Sequence, residues 1–122
     1  MPAAAPRGAP ITVETLKKRK DFLALRQGMK AHAPSFLLLA RKNPDIDGAR
    51  VGITVTRRLG GAVVRNRIRR RLRAAVREVF PHHAAPGADY VIIARGPAQT
   101  RNYAALLDDM KRGLLRLARA LK

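Results

Sequence analysis

The stretch 57–77, RRLGGAVVRNRIRRRLRAAVR, constrains this chain more than any other, because it meets two opposite demands at once. It holds nine arginines, no lysine and no acid, and the first counter-charge is Glu78. Yet Val64, Ile68, Leu72, Ala75, Val76 and Val79 run through and just past it at helical spacing. At about 100° per residue these gather on one side of a helix. Asn66, Arg70, Arg73 and Arg77 then fall on the other side, with Arg67 and Arg69 on its flanks. A disordered basic tail has no reason to keep that phase. The pattern predicts a folded helix with an oily side on a core and an arginine side turned to a polyanion.

A solvated face is the commoner fate of a charge run, but such faces mix signs and gain from opposite charges at i, i+4. Here like charges face each other, at a cost of a few tenths of a kcal/mol per pair that a partner would offset. Arginine also binds phosphate through a planar fork, which lysine lacks. Composition points the same way. The net charge of +18 comes from 26 basic and 8 acidic residues, which implies nucleic acid before an anionic membrane. An apolar fraction of 47% in 122 residues supports one folded domain with a modest core. Cysteine is absent, which excludes disulfides and thiolate metal sites and fits a reducing cytoplasm. No apolar run approaches the roughly 20 residues of a membrane span, so a soluble, cytoplasmic protein is expected.

Residues 1–13, MPAAAPRGAPITV, read as a flexible Ala/Pro-rich tail ahead of one domain, 14–122. After the cluster Lys17–Lys20, Asp21 is placed to cap a short helix carrying Phe22, Leu23 and Leu25, and Gly28 to end it. PSFLLLAR (34–41) and RVGITVT (50–56) read as strands around the turn NPDIDG, and are expected to pair as an antiparallel hairpin. Gly60-Gly61 before the arginine helix suits close approach of phosphate to free helix N–H groups. Val63 does not fit the apolar stripe. PHHAAPG (81–87) reads as a loop, and DYVIIAR (89–95) as a central strand parallel to RVGITVT. From Gln99, a stripe of Tyr103, Leu106, Leu107, Met110, Leu114, Leu117 and Leu121 predicts a covering helix, with Lys122 among the cations of its last turns.

No active site is apparent in these residues. The acids form no catalytic pair: Asp45 and Asp47 share a turn, and Asp108 and Asp109 point to different sides of a helix. Adjacent His82 and His83 point apart and have no third ligand in sequence reach, so no metal site is expected. The residues describe a chain that binds.

The run from Arg50 to Phe80, with Arg65-Asn66-Arg67 at its centre, closely resembles the bacterial ribonuclease P protein component. The resemblance rests on Arg57-Arg58, Gly60, Ala62-Val63, Arg65-Asn66-Arg67, Arg69-Arg70 and Arg73, with LKKRKDF ahead and DYVIIARGPA behind. It implies a two-layer α/β sandwich: a mixed sheet of about four strands and three helices, αβββαβα-like with a left-handed crossover, ribosomal protein S5 domain 2-like. It implies the protein subunit of an endoribonuclease that removes the 5′ leader of precursor tRNA, one protein to one catalytic RNA, with magnesium held mainly by the RNA. The helix residues Arg65, Asn66, Arg67, Arg69, Arg70 and Arg73 would face that RNA. A cleft beside the first helix would take the single-stranded leader on Phe22, Phe36, Thr54, Arg57, Arg58 and Arg95. Where many relatives carry a second aromatic after Phe22, this chain has Leu25-Arg26. The competing reading is a structural RNA-binding protein of similar, ribosomal-protein-like fold without a processing role.

Overall fold

A computed structural model describes residues 10–121. Its elements are β1 (Val13–Thr15), α1 (Arg19–Ala24), β2 (Met29–His32), β3 (Phe36–Lys42), β4 (Ala49–Thr54), α2 (Ala62–His83), β5 (Ala88–Ala94) and α3 (Tyr103–Ala120). The strands form one mixed sheet in the order β1-β4-β5-β3-β2.

The hairpin expected of β3 and β4 does not form. β5 lies between them, antiparallel to β3 from Phe36↔Ala94 to Lys42↔Ala88 and parallel to β4 from Ala49↔Ala88 to Thr54↔Ile93. Burial decides the order: every β5 residue but Ile93 is buried, and a strand apolar on both faces loses most at an edge. The 43–48 turn is held open around the start of β5. Asn43 N–H donates to the Gly87 carbonyl and Gly87 N–H to the Gly48 carbonyl, both at 2.7 Å. Gly87 takes a φ of 72° there, a conformation that suits glycine. The parallel β4-α2-β5 unit is as expected.

Two strands escaped the sequence reading because both are short edges. β2 pairs with β3 and buries only Ala31. β1 pairs in parallel with β4 and starts at Val13, the last residue of the stretch read as tail, whose end is also held to the fold: Ile11 N–H donates to the Pro81 carbonyl at 2.8 Å, and Ala49 N–H to that of Thr12 at 2.9 Å. Residues 1–9 and Lys122 lie outside the described residues.

Strand alternation gives the sheet two faces. Phe36, Leu38, Ala40, Val51, Tyr90 and Ile92 point to one face, where Ile68, Leu72, Ala75, Val76 and Val79 of α2 and Leu106, Met110, Leu114 and Leu117 of α3 close the main core. Leu39 and Val91 point to the other, under Leu16, Phe22 and Leu25. The α2 helix runs three residues into the expected loop. Pro81 lacks the N–H that Arg77 would otherwise receive, and the final turn survives through Ala84 N–H to the Phe80 carbonyl at 3.0 Å. Two caps also differ from expectation. Lys18, not Asp21, holds the α1 N-cap position, and Asp21 sits in its first turn. The α3 helix begins at Tyr103, where Asn102 Oδ1 accepts from Ala105 N–H at 3.1 Å, and residues 96–99 form a separate 3₁₀ turn.

Candidate nucleic-acid interface

The burial of α2 follows the predicted phase. Ile68, Leu72, Ala75, Val76 and Val79 are buried, and Val64 packs on the same core. Asn66, Arg67, Arg70, Arg73 and Arg77 are exposed, with Arg65 and Arg69 half-buried. The ion pairs among the described residues join Arg41 and Arg50 to Asp89, Arg50 to Asp21, and Arg101 to Asp109; none involves an α2 arginine. Inside the helix Arg69 donates to Asn66 Oδ1 at 3.3 Å, and Arg65 Nε donates to the Gly60 carbonyl at 3.2 Å. These bonds orient side chains without neutralising them. The outer face of α2 is a rigid row of unopposed guanidinium groups.

One arginine of the run breaks from this row. Arg71 turns back onto the fold, donating from Nε to the Ala98 carbonyl at 3.0 Å and from Nη2 to the Arg101 carbonyl, with its guanidinium 6.0 Å from the Tyr103 ring centre. It ties α2 to the approach of α3. Charge counting along the sequence could not separate it from Arg70.

At its start α2 has no side-chain cap and no acid in its first turn. Gly60 has φ 142°, and a Cβ there would come within 2.9 Å of Val64 Cβ, so the loop needs glycine at that position. Val63, which fitted no stripe, is 83% exposed beside it.

The second face of the sheet forms a cleft with α1 on one side. Its floor carries Leu37, Leu39, Val91 and Ile93, with Thr54 opposite Ile93 in the ladder. Phe22 lies over Gly52: a Cβ on Gly52 would fall 2.3 Å from Phe22 Cζ. Because β4 and β5 are parallel, their C-terminal ends lie at the same end of the sheet. Arg57 and Arg58 come just after β4, Arg95 just after β5, and all three are exposed. The end of β2 reaches the same place, where Arg95 Nη2 lies 3.2 Å from His32 Nδ1. His32 was missed because the strand that carries it was missed.

Of the six residues expected in this cleft, Phe22 and Thr54 lie on this face of the sheet, and Arg57, Arg58 and Arg95 follow the strand ends at one end of it. Phe36 does not. It is 0% exposed and points to the opposite face, into the main core. Its parity in β3 follows that of Leu38 and Ala40, so it cannot reach a ligand over Leu37 and Leu39. Leu25, standing near the position of the missing second aromatic, is buried under α1, whereas Arg26 is exposed.

A family model described as Ribonuclease P matches residues 12–118. The chain belongs to the ribonuclease P protein family. Among relatives in this family, the ribonuclease P protein component of Caulobacter vibrioides is 48% identical over 106 residues, spanning 86% of this chain and 71% of that one. That of Ruegeria pomeroyi is 42% identical over 121 residues and spans 96% of both. The family's solved structures share the fold. The Staphylococcus aureus RNase P protein superposes with a TM-score of 0.71 at 28% identity, covering 88% of this chain and 97% of that one. The Thermotoga maritima protein gives 0.68 at 29%, covering 89% and 98%. The shared fold is the mixed α/β sandwich, here with five strands and not about four. No helix among the described residues is long and apolar enough to cross a membrane.

Proposed function

We propose that this chain is the protein subunit of a tRNA-processing endoribonuclease, binding a catalytic RNA through α2 and the 5′ leader of precursor tRNA on the second sheet face. The observation that carries the proposal is the unopposed arginine row on a helix whose other side is locked into the core. Arg65, Asn66, Arg67, Arg69, Arg70 and Arg73 present forked donors at fixed spacing, which matches a ribose-phosphate backbone. The leader would lie along Phe22 and Thr54 toward Arg57, Arg58 and Arg95, its bases over the apolar floor and its phosphates at the cationic end.

In this reading the protein grips and the RNA cuts. Among the described residues no three or more of His, Asp and Glu are placed to hold a metal ion, and Asp89 is engaged by Arg50 and Asn43. This reading assigns magnesium mainly to the RNA, where it would supply the activated water. The protein's share, one copy per RNA, is phosphate neutralisation, which lowers the magnesium needed for assembly. Reconstitution tests it. With the catalytic RNA, the protein promotes cleavage of precursor tRNA at low magnesium; cleavage by the protein alone, or equal binding of leader-bearing and mature tRNA, rejects it.

A further inference from the structure

Beyond the α2 face and the sheet cleft, β4 outruns its neighbour and leaves a gap. The pairing of β1 ends at Thr15↔Val51. Leu16 N–H donates to the Val51 carbonyl at 2.9 Å, and the chain then turns away into α1. Strand alternation directs the backbone groups of Ala49, Val51 and Ile53 toward β1. Those of Ile53 therefore face the gap, with no backbone partner there among the described residues.

The gap is a groove of about 600 Å³ between β1, α1 and α2. Val13, Leu16, Val51, Ile53 and Val76 line it, Phe22 stands at one wall, and Arg73 and Arg77 occupy one lip with Glu14 and Thr15 on the other. Its size is that of a small-ligand site. Thr54, Arg57, Arg58 and Arg95 of the sheet cleft do not line it. Neither Arg73 nor Arg77 makes an ion pair or a side-chain hydrogen bond among the described residues.

These features select one kind of occupant. An apolar slot with an aromatic wall takes a flat ring, an open backbone donor and acceptor can read that ring's polar edge, and two free guanidinium groups on the lip take a phosphate attached to it. An apolar peptide would leave the arginines unanswered, and a bare phosphate would leave the slot empty. We propose that this groove binds a single unpaired nucleotide of RNA, base inward over Val51 and Ile53 and phosphate on Arg73 and Arg77. The proposal rests on the RNA-binding reading of α2. It adds a site at the boundary between the arginine row and Phe22.

The test uses the full-length protein at raised salt, which suppresses sequence-independent phosphate binding. A short fluorescein-labelled oligouridylate is compared with the same backbone carrying abasic riboses. The base-bearing strand is expected to bind about tenfold tighter, and Thr15→Trp, which fills the groove from its lip, removes most of that difference while leaving the circular dichroism unchanged. On the unaltered protein, a 4-thiouridine strand is expected to crosslink to peptides containing Ile53 or Val76, a readout that needs no variant. Equal binding of the two strands, or crosslinks confined to the Arg57, Arg58 and Arg95 end, overturns the proposal. If that happens while Arg70→Ala still weakens binding of the catalytic RNA, the groove falls and the function of α2 stands.

Discussion

Arg50 grips the buried carboxylate of Asp89 with two parallel bonds, Nε to Oδ1 and Nη2 to Oδ2, each 2.7 Å long. The two residues face each other across the parallel β4–β5 ladder. Asn43 adds a third bond at 3.1 Å, and Arg41 stands 3.8 Å away on β3. The bond to Asp89 raises the Arg50 pKa above its ordinary value against the opposing effect of desolvation. In a chain this basic, one carboxylate thus joins three neighbouring segments. Removing Arg50 leaves the buried carboxylate with only the Asn43 bond and the more distant Arg41, so Arg50→Ala is expected to cost about 3 kcal/mol. Urea denaturation midpoints check this, with Asp45→Ala, on an exposed turn, changing little.

Arg70 and Arg71 are neighbours with opposite fates. Arg70→Ala is expected to leave the urea midpoint unchanged and to reduce the salt dependence of catalytic-RNA binding by about 0.7–0.9 in log–log slope. Arg71→Ala strands the Ala98 and Arg101 carbonyls and is expected to cost about 1–3 kcal/mol of stability with the slope retained. Swapped results would exchange their roles.

Phe22 and Phe36 make a similar contrast across the sheet. Phe36→Ala opens a cavity in the main core and is expected to cost about 3–5 kcal/mol. Phe22→Ala is expected to weaken leader binding by about 1–3 kcal/mol. Unchanged affinity for leader-bearing precursor in the reconstituted holoenzyme would remove Phe22 from the leader path.

Gly52→Ala tests the same ring without altering it. A Cβ there overlaps Phe22, so the ring must move, at an expected cost of about 1–3 kcal/mol. The double variant Gly52→Ala/Phe22→Leu is expected to recover part of that stability, measured again by denaturation.

At high pH the two tyrosines act in one direction. Burial pushes Tyr90 up to about 12, partly opposed by the Ala85 N–H donated to its hydroxyl. Tyr103 is also raised, by desolvation and then by its bond to Glu78. Below pH 10 the tyrosines are neutral folded or unfolded and add no pH dependence. Above it the unfolded chain ionises first, so stability falls as pH rises from about 10 to about 12. Tyr90→Phe is expected to flatten that fall in pH-dependent unfolding.

Features that depend on local periodicity were legible along the chain. The α2 stripe and its arginine row share one short-range phase, and helical geometry converts that phase directly into two faces. The apolar run of β5 likewise implied a central strand, and Asn66, Arg67, Arg70 and Arg73 were legible as an exposed, basic helix face. Features that depend on neighbours distant in the chain emerged only with the fold. Insertion of β5 between β3 and β4 needed the whole sheet, because chain adjacency had favoured their hairpin. Strand alternation shows that Phe36 and Leu37 point to opposite faces, but which face meets α2 and α3 is set only by packing. Arg71 shares the helical phase of Ile68 and Ala75, but the carbonyls it holds, like the carboxylate held by Arg50, are brought to it only by the fold.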